Sequence, residues 1–191
     1  MSPISNFFAS KLSALSGPIR QLAFVPQDFD RAINFWTTVM GVGPSFHLEH
    51  IPLQDVRYRG NPIKYDSSAA ISYWGDLEIE LLRQHNHETS ILTAWLNGER
   101  NGIHHVRVQV QNLNEARELY LSNGAGIVQE ATLPGGGQYV MFEMPGFESF
   151  IEVSVLHPRF VKLFAYMKRT AGQWDGRNPL RSVPPERDWD P

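Results

Sequence analysis

The sequence predicts an α+β fold made of two copies of a strand–helix–three-strand unit. Three observations carry that prediction. Two segments of the chain align with each other without a gap. Each opens on an alternating run rich in β-branched residues, the pattern of a strand. Each then passes through Asp or Asn into an amphipathic stretch that closes near glycine, the pattern of a capped helix.

The first copy opens at Ile19 to Val25 and continues from Asp28 to Trp36; the second opens at Ile103 to Gln109 and continues from Asn112 to Tyr120. With Gln21 set against His105, Asp28 meets Asn112, Ala32 meets Ala116 and Trp36 meets Tyr120. Gly41 and Gly43 end one helix as Gly124 and Gly126 end the other. The last strands also match, Leu77 to Leu82 against Ser149 to Ser154. From Gln21 to Glu80 is 59 residues in copy one, and from His105 to Glu152 is 47 in copy two. The surplus falls in Pro44 to Ser68, a polar, proline-containing stretch expected to be an extended loop. The expected organisation is residues 1–17 as an N-terminal helical extension, 18–100 as the first module with its insertion at 44–68, 101–157 as the second module, and 158–191 as a C-terminal helix and irregular arm. Phe160, Leu163, Phe164 and Met167 share one helical face, so Arg159 to Thr170 is expected to be helical. Trp174 and Trp189 suggest an arm that packs on a surface, such as a partner subunit.

Bulk properties narrow the function. Hydrophobic residues make up 42% and charged residues 19%, within the range of globular domains. A net charge of −3 gives no footprint for nucleic acid, and no basic run exists to hold a membrane or polyanion. With no cysteine, disulfides, thiolate ligands and cysteine nucleophiles are excluded. The first residues lack the continuous apolar core of a secretory signal, and no run approaches the ~18 apolar residues of a membrane span. The expectation is a soluble, cytoplasmic protein that handles a small organic molecule.

Strand side chains alternate between faces. In Ile103 to Val110 the valines share one face, which must meet the helix layer, and His105, Arg107 and Gln109 share the other. The repeat puts Gln21 at the place of His105. In the last strands Ile79 and Leu81 face one way and Glu80 the other; Ile151 and Val153 face one way and Glu152 the other. Two equivalent pairs result, Gln21 with His105 and Glu80 with Glu152. Carboxylates within apolar strands are costly to bury unless paired or coordinated. One such residue alone defaults to a solvated sheet face. Two repeat-related pairs favour one divalent ion, and an amide oxygen, an imidazole and two carboxylates suit Zn²⁺, Ni²⁺, Co²⁺, Mn²⁺ or Fe²⁺.

At these residues the chain resembles the vicinal oxygen chelate superfamily, which includes glyoxalase I, methylmalonyl-CoA epimerase, extradiol dioxygenases and the bleomycin-resistance proteins. The resemblance runs from about Pro18 to Leu156, with Gly102 to His105 similar to the start of the epimerase second module. It implies a cupped mixed sheet around the metal, with Gln21, Glu80, His105 and Glu152 as ligands, the set of the animal-type glyoxalase I. It also implies a homodimer. The glutathione-binding positions of glyoxalase I correspond to Val25 and Gln84 here, so glutathione dependence is not expected. Gln21 in place of a first histidine breaks the extradiol iron pattern.

The chemistry these groups favour is proton abstraction next to a carbonyl, with a metal stabilising the resulting enediolate or enolate of a substrate bearing adjacent oxygens. That makes a metal-dependent lyase or isomerase, with Glu152 as the preferred base and Glu80 as the second choice. Arg107 is expected either to hold a substrate carboxylate or phosphate or to form an ion pair. The alternatives are a metal-free small-molecule-binding protein of the bleomycin-resistance type and an extradiol-type dioxygenase. His104 is expected to be a packed histidine on the helix-facing side, and His47, His50, His85 and His87 to be surface residues. Asp55 and Glu49 are further carboxylates near the first module's insertion. The Gly135 to Gly137 turn lacks the lysine and helix of a phosphate loop and is expected to join two strands.

Overall fold

The computed structural model describes residues 17–190; the expected N-terminal helix, Ile4 to Leu15, lies outside them. The elements run β1 (Ile19–Phe24), α1 (Phe29–Asn34, continued as a wider π-helical turn, Phe35–Val39), β2 (Ser45–Leu48), β3 (Gln54–Tyr58), β4 (Asn61–Pro62), β5 (Ser67–Trp74) and β6 (Leu77–Gln84). Then come α2 (Ile91–Asn97), β7 (Ile103–Gln109), α3 (Leu113–Ser122), β8 (Gly126–Thr132), β9 (Gln138–Met144), β10 (Phe147–Val155), α4 (Pro158–Ala171) and β11 (Leu180–Ser182).

The repeat is visible in the helix starts. The Asp28 carboxylate accepts from Arg31 N at 2.9 Å, and the Asn112 side chain accepts from Glu115 N at 3.2 Å. Both caps hold nearly the same backbone, φ/ψ of −120/101° and −127/105°. Each satisfies an amide that the first helical turn leaves without an intrahelical partner.

All strands join one mixed sheet in the order β11-β2-β5-β6-β1-β7-β10-β9-β8-β3-β4. Its two halves, β2-β5-β6-β1 and β7-β10-β9-β8, mirror one another. In each, the first strand lies parallel to the last, and β1 and β7 meet antiparallel at the centre. Two small cores cover the convex face. Phe29 and Ile33 of α1 pack on Ala70 and Leu81, while Ala116 and Tyr120 of α3 pack on Val140, Phe142 and Val153. Tyr120 stacks on Phe142 with ring centroids 4.9 Å apart. The concave face carries the larger core, closed from above by Leu163 and Met167 of α4.

Two segments are more ordered than their composition suggests. The 44–68 insertion holds three strands rather than an extended loop. Its β3–β4 hairpin turns at Arg59 and Gly60, both at positive φ (47° and 82°), the pairing that suits strand twist. β3 then pairs antiparallel with β8, so an insertion in the first copy clasps the far edge of the second. The C-terminal arm adds β11 parallel to β2. Its tryptophans pack on this chain: Trp189 joins the concave core, and the Trp174 ring lies so close to Gly43 that a Cβ there would fall 2.7 Å from it. The helix α2 had no counterpart in the sequence reading. Ser90 caps it, accepting from Leu92 N and Thr93 N, while Thr93 Oγ1 accepts from Ser90 N.

Candidate metal and substrate site

Strand register places the four predicted ligands on one face. Gln21 lies opposite Glu78 on β6 and Arg107 on β7; Ala23, two residues on, lies opposite Glu80 and His105. Glu152 lies opposite Arg107 on the other side of β7. Register partners point the same way, so all six polar residues share the concave face.

Between that face and α4 lies a cavity. Glu80, His105, Arg107 and Glu152 line its floor; Leu48, Ile51, Leu82, Met141, Phe160 and Phe164 are among its apolar walls. His105 Nε2 is 3.3 Å from Glu152 Oε2 and 3.6 Å from Glu80 Oε2. These contacts are close but are not aligned as hydrogen bonds, and Nε2 has no hydrogen-bond partner. Neither amide atom of the fully buried Gln21 has one either. Buried polar atoms are nearly always paired, so orphans at three atoms of one site call for a missing partner. Ligand atoms in a tetrahedral shell with 2.0–2.1 Å bonds stand roughly 3.3 Å apart, which matches the His105–carboxylate spacing. On donor chemistry, and on the spacing of His105 to each carboxylate, these residues fit a divalent ion; Gln21 joins them by strand register alone.

His104 departs from expectation. β7 carries an extra residue against β1 there, since Ala23 pairs with His105 but Phe24 with Ile103. The bulge breaks the alternation that would have sent His104 to the helix-facing side. His104 is fully buried, edge-on to Trp95 at 4.9 Å, and its Nδ1 lies 2.9 Å from His105 Nδ1. Burial, with His105 beside it, holds its pKa well below the usual value, so it stays neutral. When His105 donates through Nδ1, its Nε2 turns a lone pair toward the two carboxylates, the tautomer that a bound cation requires.

The two carboxylates differ. Burial raises Glu80 to about 7, helped by Glu152 and opposed by His105. Burial acts on Glu152 too, but His105 beside it and the Arg107 guanidinium outweigh that and hold it below its ordinary value. Arg107 pairs with the buried Glu78 and lies over the Phe164 ring at 4.9 Å. Tyr73 donates to Glu78 at 2.8 Å. Of the two expectations for Arg107, the ion pair is present, while its place in the lining keeps it within reach of a ligand.

Sequence reasoning missed Glu78, although it stands two residues before Glu80 and shares its face. It also missed Tyr65, Gln129 and Tyr139 in the wall, where Gln129 Nε2 donates to Tyr139 Oη at 2.9 Å. Asp55 and Glu49 lie outside the cavity; Glu49 pairs with His47 at 3.2 Å. The Gly135 to Gly137 turn joins β8 to β9. Among the described residues, the group of three histidine and carboxylate residues whose ligand atoms all lie within 4.8 Å of one another is a different one, His50, Asp66 and His85. No helix among them is long and apolar enough to cross a membrane.

Comparison with known proteins agrees with this architecture. A hypothetical protein of Bacillus halodurans superposes with a TM-score of 0.56 at 16% identity, covering 73% of this chain and 94% of its own. Methylmalonyl-CoA epimerase from Mycobacterium tuberculosis gives 0.55 at 13% identity, covering 77% and 93%. A Streptomyces coelicolor methylmalonyl-CoA epimerase variant in complex with 2-nitronate-propionyl-CoA gives 0.52 at 12%, covering 75% and 96%. At such identities the likeness is one of fold. No curated protein sequence matches the chain. The family model of the Glyoxalase/Bleomycin resistance protein/Dioxygenase superfamily matches residues 20–142, more than half of the sequence, and the chain belongs to that superfamily.

Proposed function

We propose that the chain is a divalent-metal-dependent lyase or isomerase that moves a proton next to a carbonyl, in the manner of glyoxalases and epimerases. The observation that supports this reading is Glu80, His105 and Glu152 together on the cavity floor, with Gln21 on the same sheet face but outside the lining, and orphaned atoms at Gln21 and His105. A bound ion, of the Zn²⁺, Ni²⁺, Co²⁺, Mn²⁺ or Fe²⁺ class, would polarise adjacent substrate oxygens and stabilise the negative charge that develops on them.

The chain's residues supply the rest. Burial raises Glu80 to about 7 in the metal-free site, and a bound ion would lower it, so Glu80 would take up a proton when it leaves the ion. Glu152, held low by His105 and Arg107 against the effect of burial, suits the permanent charge of a ligand. This inverts the order of preference drawn from sequence, where Glu152 came first. Arg107, held in place by Glu78, orients a substrate oxygen at the cavity floor. The apolar walls exclude water and seat a compact organic body. The methylmalonyl-CoA epimerase likeness and superfamily membership support this class of reaction.

Metal analysis of the purified protein, with proton–deuteron exchange at the carbon next to the carbonyl of model α-hydroxyketones, tests the reading. We expect metal-dependent exchange, lost in Glu80→Gln. Absence of any stoichiometric ion, together with ligand binding indifferent to Glu152→Ala, would instead favour a metal-free binding protein.

A further inference from the structure

Away from the central site, His50, Asp66 and His85 converge at one corner of the sheet, and we propose that they bind a second divalent transition-metal ion. Their ligand atoms all lie within 4.8 Å of one another. The three residues come from different places in the sequence: His50 follows β2, Asp66 directly precedes β5 and His85 directly follows β6. Backbone bonds lock them together. His85 N donates to Asp66 O at 2.8 Å, Ile51 N donates to Ser67 O at 2.8 Å, and His50 N donates to Ser68 Oγ at 3.0 Å.

The side-chain geometry suits a shared ion. His50 Nδ1 and Asp66 Oδ1 are hydrogen-bonded at 2.7 Å, and an ion between them would replace that bond and open the pair to roughly 3.3 Å. The two imidazoles lie face to face, centroids 4.4 Å apart and tilted by 32°. Ser68 Oγ lies 2.7 Å from His85 Nε2 and has a second lone pair with which it can accept from that nitrogen. In that arrangement His85 Nδ1 is bare, the tautomer a metal requires. Two imidazoles and one carboxylate select Zn²⁺, Co²⁺, Ni²⁺ or Cu²⁺ over Mg²⁺ or Ca²⁺, and three protein ligands leave a position open to water. No ligand is shared with the central site. The segment from His50 to Leu53 also carries Ile51 and Leu53 of the cavity wall. An ion on His50 therefore ties that wall to the ends of β5 and β6.

Equilibrium dialysis of the full chain against Zn²⁺ tests the proposal, using wild type, His50→Asn, His85→Asn and Glu152→Gln. Asparagine is chosen at position 50 because His50 holds a left-handed backbone, φ 46°, which asparagine tolerates. The outer ion is expected to bind wild type and Glu152→Gln alike. In each histidine variant its Kd should rise more than about 10-fold, since even partners one shell further out are worth that much. Equal zinc uptake by wild type and both histidine variants would overturn the proposal. Should a variant fail to fold, zinc protection of His50 and His85 in the wild type against diethyl pyrocarbonate reads the same site; unchanged modification overturns it. The two sites fail separately, because Glu152→Gln reports only on the central one.

Discussion

His104 and His105 touch through their Nδ1 atoms, 2.9 Å apart, because a bulge in β7 turns two consecutive side chains toward the same interior. One of the pair must donate to the other. Where the neutral, buried His104 accepts, His105 is left as the tautomer with a free Nε2. In that arrangement His104 acts as a positioning residue for the metal ligand.

Replacing His104 tests that role. His104→Phe keeps the ring packed against Trp95 and Phe150 but removes the acceptor, and central-site metal affinity is expected to fall about 10–100-fold. His104→Gln, which can still accept, should recover part of it. Isothermal titration with Zn²⁺ in a His50→Asn background measures the difference. A purely structural role predicts lower thermal stability with unchanged affinity.

The raised proton affinity of Glu80 makes metal-free stability depend on pH in a definite direction. Its folded value of about 7 lies above the ordinary 4.5, so the folded state holds the extra proton between those values. That contribution favours folding at low pH and is lost as pH rises toward 7, by roughly 3 kcal/mol at its limit. Glu80→Gln, which carries no charge to bury, should therefore raise the melting temperature of the metal-free protein at pH 8 and leave it nearly unchanged at pH 5. The same proton competes with the ion. Zn²⁺ uptake at the central site should weaken about tenfold per pH unit below 7 and release a proton, readable by titration in buffers of different ionisation enthalpy.

Arg107 and Glu78 form a buried ion pair with Tyr73 as third partner. Arg107→Met leaves Glu78 in the interior without its cation, with only Tyr73 as partner, and is expected to cost about 3–5 kcal/mol. The double variant Arg107→Met with Glu78→Gln should recover most of that loss in chemical denaturation, while substrate turnover stays depressed. Recovery of turnover as well would remove Arg107 from any part in binding substrate.

The parts of this structure legible in sequence were those with local periodicity. The Asp28 and Asn112 caps, the valine face of β7 and the alternation around Glu80 and Glu152 each follow from a few consecutive residues, and the repeat tied them together. What stayed hidden depends on register between distant strands. Glu78 meets Arg107 only because β6, β1 and β7 lie side by side. β3 finds its partner in β8, about seventy residues on, and no composition signals that pairing. The bulge at His104 adds one residue without any glycine to mark it. His50 and His85 read as separate surface residues, and Asp66 carries no signal of its own until the chain folds back on itself.

The central claim is tested most directly by the metal content and X-ray absorption spectrum of the His50→Asn protein after zinc loading and dialysis. The outer site is disabled there, so any retained ion reports on Gln21, Glu80, His105 and Glu152 alone. The account predicts one ion per chain, with a single imidazole and otherwise oxygen in its shell, lost in His105→Ala. No retained ion, or one that survives His105→Ala unchanged, would contradict it.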